Sequence, residues 1–173
     1  EQVTTDLMHR LGLGGRLDRE GLVHGGTQIS LDGSLFRIDM TALTGGSAVT
    51  VYGQQEVMHD LFEAAPERGV EIVWNSQDVT LEGLDGDHPV VRWRQDGVAQ
   101  ELQCDYVVGC DGARSSVRQS IGRELVGDSA NKAWGVMDVL AVTDFPDVRC
   151  KAVIRSATEG NVLIIPREGG YLA

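Results

Sequence analysis

The sequence lacks the features that mark membrane, secreted and nucleic-acid-binding proteins. No apolar run approaches the roughly 20 residues that a membrane-spanning helix needs, and no basic segment precedes an apolar one as in a signal peptide. Positive charge is scarce, because 15 lysines and arginines face 26 aspartates and glutamates, for a formal net charge of -11. This charge repels phosphate backbones and anionic lipid. We therefore expect a soluble, cytoplasmic protein with no nucleic-acid or membrane partner.

Cysteine is also scarce. Cys104, Cys110 and Cys150 form no CxxC pair, and their odd number argues against a disulfide framework. Cys104 and Cys110 flank one predicted strand, which at about 3.3 Å per residue separates them by about 20 Å, too far for a bridge. We expect three buried or half-buried free thiols, and we predict no metal site.

The 173 residues are 42% hydrophobic and 24% charged, enough for one globular domain or two intertwined lobes with a core. The chain starts inside a helical pattern without a methionine and stops just after an apolar run. We therefore expect it to be an internal piece of a longer protein.

Local patterns predict a mixture of helices and strands. Segments 27–31 and 35–40 alternate apolar and polar residues around Asp32-Gly33, which predicts a β-hairpin. A strand at 49–52 leads into an amphipathic helix. Another helix is predicted from Val3 through Leu11, ended by glycines, and one more near 115–121; further strands are predicted at 70–74, 79–84, 90–94, 99–102, 106–109, 134–142, 150–154 and 161–165. The fold class is therefore α/β, of the mixed α+β kind.

The segment from Cys104 to Gly122 carries the clearest chemical signal. An apolar strand is followed by Asp111-Gly112 and then by a predicted helix containing Arg118. A helix N-terminus offers unpaired N–H groups to phosphate oxygens, and a glycine allows the backbone to approach a ligand closely. Asp111 can accept from ribose hydroxyls, and Arg118 can bind pyrophosphate. The alternative is an ordinary strand-to-helix turn with a serine cap and a surface arginine.

This Asp-Gly turn, with serine and then arginine after it, resembles the DG motif of class A flavoprotein monooxygenases, which contacts both FAD and NADPH. Residues 1–122 resemble the 4-hydroxybenzoate 3-monooxygenases in DREGLVHGGTQISLDG, RIDMTALTGG and TVYGQQEVMHDL. The resemblance implies that Gln54 lies beside the flavin and that His24 ends a proton relay from the substrate phenol to solvent. Alternatively, Gln54 caps its helix and His24 is a surface residue.

A second resemblance covers residues 106–173. VVGCDGARSSVRQSIGRELVGDSAN, AWGVMDVLAVTDFPDVR and GNVLIIPREGGYL are similar to phenol 2-monooxygenases and 3-hydroxybenzoate 4-monooxygenases. This resemblance implies that Arg167 lies near the flavin and the active site. The alternative is a turn arginine paired with Glu168 or Glu159. Because two resemblances meet near residues 104–122, a recombined, engineered or misassembled sequence is compatible with the pattern.

Together the resemblances imply a partial Rossmann-like FAD-binding domain, residues 1–25 and 48–131, interleaved with a β-sheet substrate domain, residues 26–47 and 132–173. They imply an FAD-dependent, NAD(P)H-using monooxygenase that ortho-hydroxylates 4-hydroxybenzoate, 3-hydroxybenzoate or phenol with O₂. NADPH is the expected reductant. The catalytic candidates are His24 and Arg167, and the cofactor-binding candidates are Gln54, Asp111, Gly112 and Arg118.

Two other function classes stay open. The chain is alternatively a non-catalytic folding or association unit, for which a homodimer is one arrangement, or a flavin-dependent reductase of the same fold. Because no GxGxxG turn occurs in the sequence, we expect the isolated chain to bind FAD weakly or not at all and to be inactive. The Ser-x-Arg pair that holds the 4-hydroxybenzoate carboxylate is not evident near Arg167, which favours phenol or 3-hydroxybenzoate as the substrate.

Overall fold

The computed structural model describes residues 1–143, 147 and 149–173, and it divides into two compact units. The first unit contains Glu1–Gly69 and Trp134–Ala173, and the second contains Val70–Ala133. Several sheets alternate with helices along the chain. The predicted mixed α/β class is confirmed. The division into cofactor and substrate domains is a functional one and stays a prediction.

The described residues of the first unit form the α-helices α1 (Gln2–Arg10), α2 (Gly14–Glu20), α3 (Met40–Thr44) and α4 (Gln54–Glu67), and a short 3-10 helix at Glu168–Gly170. Gly12, with a φ of +71°, follows the end of α1, as predicted from the glycines at this point of the sequence. Gly14 and Gly15 begin α2, whereas the sequence predicted only that they help to end the first helix. Among the described residues, no helix is both long and apolar enough to cross a bilayer.

The main sheet of the first unit has the strand order β10-β9-β2-β3. Its strands are β2 (Gly26–Leu31), β3 (Ser34–Asp39), β9 (Cys150–Ser156) and β10 (Gly160–Ile164). Asp32 and Gly33 both have positive φ, +45° and +85°, as a tight hairpin turn requires, so the predicted hairpin is confirmed. Strand β2 pairs in parallel with β9, which lies more than a hundred residues later in the sequence.

Two small antiparallel ladders complete the first unit. Strand β1 (Leu22–His24) pairs with β4 (Val49–Val51), and β8 (Val139–Leu140) pairs with β11 (Tyr171–Leu172). The strand predicted at 134–142 is therefore confined to two residues. Its apolar composition is typical of a strand, but a strand extends only as far as a neighbour supplies ladder hydrogen bonds.

The second unit is built on an antiparallel meander of β5 (Gln77–Glu82), β6 (Val90–Gln95) and β7 (Val98–Gln103), followed by helix α5 (Ser116–Ser120). The meander and the helix agree with the sequence prediction. The strands predicted at 70–74 and 106–109 are wrong, because neither segment pairs with another strand in the part of the chain that the structure describes. Tyr106 and Val108 are consequently 89% and 80% exposed.

The burial of each cysteine depends on whether its segment joins a sheet. Cys150 is completely buried in β9 and Cys104 is half-buried, but Cys110 is exposed. The expectation of a buried or half-buried thiol is wrong for Cys110, because the segment before it joins no sheet. All three thiols are free.

Candidate active-site cleft and nucleotide turn

A cleft of about 690 Å³ in the first unit brings helix α2 and the first turn of α4 to the turn that follows β10. Its charged lining consists of three arginines and four carboxylates. The lining residues are Arg16, Arg19, Glu20, Tyr52, Gln55, Glu56, Asp138, Arg167, Glu168 and Gly169. The structure thus places the start of α4, where one predicted flavin contact lies, in the same cleft as the predicted active-site residue Arg167.

Arg16 organises one side of this cleft. Its guanidinium donates to Asp60 at 3.0 Å, contacts Glu56, and forms an ion pair with Glu20 at 3.0 Å. The Tyr52 hydroxyl donates to the other Asp60 oxygen at 2.9 Å, and Arg16 also lies 5.9 Å from the centre of the Tyr52 ring. Burial and the Asp60 carboxylate raise the pKa of Tyr52 to about 12, so this tyrosine stays protonated at neutral pH.

Sequence reasoning missed this network, although a signal for it exists. Asp60 lies on the same face of α4 as the apolar residues Val57 and Ala64, because residues three and four apart are neighbours on a helix. A carboxylate on an apolar face requires a partner when it is buried, and Asp60 is only 9% exposed. Its partners lie on α2 and at the end of β4, positions that local patterns do not connect.

Gln54 is the first residue of α4, but it does not cap the helix. The N-cap is Gly53, and no side chain caps this terminus. The capping alternative for Gln54 is therefore wrong. Gln54 lines a shallow cavity beside the cleft, together with Met58 and Phe62. Among residues 1–143, 147 and 149–173, no hydrogen bond occupies its amide, which leaves both the donor and the acceptor available to a ligand.

Arg167 donates to Asp138 at 3.0 Å and to Glu168 at 3.2 Å. These bonds raise the pKa of Arg167 and fix its guanidinium at the cleft, where its side chain is 25% exposed. The pairing with Glu168 was one alternative considered from the sequence, and it coexists with a position in the cleft. Asp138 was not predicted as a partner, because it is 29 residues away along the chain.

His24, at the end of β1, is only 2% exposed, so the surface alternative is wrong. Burial lowers the pKa of His24, while a hydrogen bond to the Pro166 carbonyl opposes that shift. The ring nitrogen Nε2 is buried and has no hydrogen-bond partner within the described residues. Through Pro166 the histidine adjoins the Arg167 turn, so the structure brings the two catalytic candidates into one neighbourhood. A relay that ends at His24 stays a prediction.

The Asp-Gly turn in the second unit is closed by its own side chains. The Asp111 carboxylate accepts from the Ser115 hydroxyl and from the backbone N–H groups of Ser116, at 2.7 Å, and Val117, at 3.2 Å. These hydrogen bonds hold the pKa of Asp111 well below its usual range. The expectation that the first N–H groups of this helix are unpaired is therefore wrong, because Asp111 already accepts from them.

Arg118 folds back onto the same turn. Its guanidinium donates to the carbonyls of Ala113, at 2.6 Å, and Gly112, at 3.4 Å. Gly112 has a φ of +75°, and nothing lies within 4 Å of the position that a Cβ would take. The turn is thus preformed, with open space on one side of Gly112. The local geometry is that of the serine-capped turn, the alternative that the sequence left open, because Ser115 caps the helix. Cofactor binding by Asp111, Gly112 and Arg118 stays a prediction.

Each unit offers one feature that a flavin nucleotide could contact. In the first unit, the free amide of Gln54 adjoins a large cleft. In the second unit, Gly112 allows close approach to a rigid turn. Each set of residues, taken within its own unit, is chemically suited to contact a flavin nucleotide, and cofactor binding by either set stays a prediction.

Comparison with known structures supports the fold. The p-nitrophenol 4-monooxygenase of Pseudomonas putida superposes with a TM-score of 0.75 over 99% of this chain and 45% of that protein, at 20% sequence identity. The flavin-dependent halogenase CmlS superposes with a TM-score of 0.69 over 98% of this chain and 32% of that protein, at 16% identity. At such identities the likeness concerns the fold alone.

Sequence comparison is more specific. A 3-hydroxybenzoate 4-monooxygenase of Comamonas testosteroni is 66% identical over 94 residues, which are 54% of this chain and 14% of the relative. The p-hydroxybenzoate hydroxylase of Acinetobacter baylyi is 36% identical over 165 residues, which are 94% of this chain and 40% of the relative. The chain thus spans less than half the length of these relatives. The family model described as an FAD binding domain matches residues 1–172. The chain therefore belongs to the FAD binding domain family, within the class A flavoprotein hydroxylases.

Proposed function

We propose that this chain forms part of the active site of an NAD(P)H-using, FAD-dependent monooxygenase that hydroxylates a phenolic substrate ortho to its hydroxyl group. The observation that carries the proposal is the cleft in which the start of α4 meets Arg167 and Glu168. The enzyme acts in the cytoplasm on a small aromatic substrate with O₂, and NADPH is the reductant. The names of the relatives, two of which are hydroxybenzoate monooxygenases, support this class of substrate.

When bound, FAD would supply the redox chemistry, by which two electrons from NAD(P)H activate O₂, one oxygen atom is inserted into the ring and the other is released as water. The protein binds and orients the cofactor and the substrate, and it excludes water from the site. The Gln54 amide, whose donor and acceptor are both available, would hydrogen-bond to the flavin. Asp111 keeps its turn rigid, Gly112 would let the nucleotide approach that turn, and Arg118 would contribute positive charge to pyridine-nucleotide binding.

On the substrate side, Arg167 holds the Glu168 carboxylate at the wall of the cleft. His24 holds or passes a proton, and the carbonyl of Pro166 fixes its ring orientation. Because Arg167 already binds two carboxylates of this chain, it is a poor anchor for a further carboxylate. A carboxylate at this arginine is therefore disfavoured for either hydroxybenzoate, and the preference for phenol or 3-hydroxybenzoate over 4-hydroxybenzoate rests on the absence of the Ser-x-Arg pair near Arg167.

A chimera tests this function. The 165 matched residues of the Acinetobacter baylyi hydroxylase are replaced by the corresponding residues of this chain, and the purified protein is assayed with FAD, NADPH and each of the three substrates. We expect bound flavin and ortho-hydroxylated products, with 4-hydroxybenzoate the poorest substrate. Gln54→Ala should release flavin more readily, whereas Gln100→Ala, at an exposed position of β7, should not. Retained flavin without any hydroxylated product would contradict the proposal.

A further inference from the structure

Glu168 has one carboxylate oxygen with a partner and one without. Its Oε1 accepts from Arg167 at 3.2 Å. Its Oε2 is buried, yet no donor reaches it from any residue that the structure describes. The side chain as a whole is 17% exposed. A buried acceptor that lacks a donor is costly, so an atom of this kind points to a ligand that supplies the donor.

The surroundings of Glu168 suit an aromatic ligand. Glu168 lines the 690 Å³ cleft and also an adjoining cavity of about 430 Å³. Both volumes fall in the range of about 300–1,000 Å³ that is usual for small-molecule sites. The smaller cavity has apolar walls from Leu22, Ala141, Pro166 and Leu172. A ring packed on these walls would present a substituent to Glu168.

Charge decides which substituent is accepted. The nearest cation to Glu168 is Arg167, whose guanidinium already donates to Asp138 as well. A ligand carboxylate at this position would have to compete with both side chains for that guanidinium and would face the charge of Glu168. A neutral hydroxyl meets no such penalty, because it donates its hydrogen to the free oxygen.

We propose that Glu168 is a specificity-determining residue, which accepts a hydrogen bond from the phenolic hydroxyl of the substrate and disfavours a carboxylate at the same position. The inference deepens the proposed function and rests on it for the identity of the ligand as a substrate. Binding of a phenol or a carboxylate at Glu168 requires neither flavin nor turnover. It is therefore tested separately, with phenol and benzoate as probes.

Ligand-observed NMR titration of the chain with each probe gives the two affinities. In Glu168→Gln, which keeps the shape and removes the charge, we expect phenol affinity to fall about five-fold and benzoate affinity to rise about five-fold. Glu159→Gln is the matched control, because Glu159 lies in the turn between β9 and β10 and lines neither cavity. It should leave both affinities unchanged.

Glu168→Asp is a second test, for the case in which Glu168→Gln does not fold. It keeps the charge but shortens the side chain, so benzoate should stay excluded while phenol binds more weakly. The proposal is overturned if the wild-type chain binds neither probe, or if a folded Glu168→Gln, verified by circular dichroism, keeps the wild-type preference. Phenol selectivity that depends on Glu168, in a protein whose chimera shows no hydroxylation, would retain this inference and reject the proposed function.

Discussion

At the scale of single residues, the Asp111 carboxylate stabilises its turn only while it is ionised. Four groups donate to it, the hydroxyls of Ser115 and Ser116 and the backbone N–H groups of Ser116 and Val117, and these bonds hold its pKa well below the ordinary value near 3.9. A lowered pKa contributes stability that is present above the unfolded-state value and is lost as the pH falls toward the folded-state value. We therefore expect Asp111→Asn to lower the free energy of unfolding at pH 7 and to lose less stability than wild type between pH 4 and pH 2.

Urea unfolding at a series of pH values measures this difference. Asp128→Asn is the control, since Asp128 is exposed and no hydrogen bond engages it in the part of the chain that the structure describes. It should match wild type at both ends of the pH range. Equal stabilities of Asp111→Asn and wild type at pH 7 would show that the capping bonds contribute nothing.

His24 differs from Asp111, because its neutral form and not its charged form is favoured in the folded chain. Its pKa is lowered from the ordinary value near 6.5, so the unfolded chain binds a proton more readily than the folded chain. Stability should be complete above about pH 6.5 and should fall as the pH drops below it, by at most about 1.4 kcal/mol per pH unit. Denaturant unfolding from pH 8 to pH 5 should show this loss.

In His24→Gln that pH dependence should be reduced. In His59→Gln it should persist, because the His59 side chain is 58% exposed on α4. A wild-type stability that does not change between pH 8 and pH 5 would mean that His24 titrates as it does in the unfolded chain.

At the scale of elements, the packing of α2 against α4 and β4 depends on the Arg16, Asp60 and Tyr52 network. Tyr52→Phe removes the hydroxyl that donates to Asp60 at 2.9 Å and keeps the ring beneath Arg16. Since a hydrogen bond to a charged group contributes about 1.5–3 kcal/mol, we expect a loss of about 1.5 kcal/mol in the free energy of unfolding. Chemical denaturation monitored by circular dichroism measures it.

Tyr106→Phe makes the same chemical change at a residue that is 89% exposed, and it should alter stability by less than about 0.5 kcal/mol. If the two variants were equally stable, the Tyr52 hydroxyl would be as well satisfied by water as by Asp60. The network would then position the elements through the arginine alone.

At the scale of the whole molecule, many large apolar side chains are exposed to solvent. In each unit, several large apolar side chains are mostly exposed. Val108 and Val136 are both 80% exposed. We therefore expect the isolated chain to bind the apolar dye ANS strongly at neutral pH, as proteins with exposed apolar patches do.

Fluorescence titration with ANS measures this binding. Val108→Thr together with Val136→Thr should reduce the dye signal without lowering the free energy of unfolding, because neither side chain is packed. Dye fluorescence at the level of a compact control protein would indicate that self-association or local rearrangement covers these side chains.

Local patterns were sufficient wherever short-range physics decides the structure. The Asp32-Gly33 hairpin, helix α1 and the meander from β5 to β7 follow from turn chemistry and periodicity within a few residues. The segment at 106–109 has the composition of a strand and yet forms none. Composition expresses a preference, whereas a strand exists only where a neighbour supplies hydrogen bonds.

The sequence by itself determined the family, the mixed α/β class and the candidates His24, Gln54, Asp111, Gly112, Arg118 and Arg167, because motifs and periodicity are encoded locally. The tertiary structure alone decided which of them meet and how their charges are balanced. Arg167 is held by Asp138, and Asp60 by Arg16 and Tyr52, across separations of 29, 44 and 8 residues. Such partners are set by how distant elements pack, and burial then fixes the ionisation of each group.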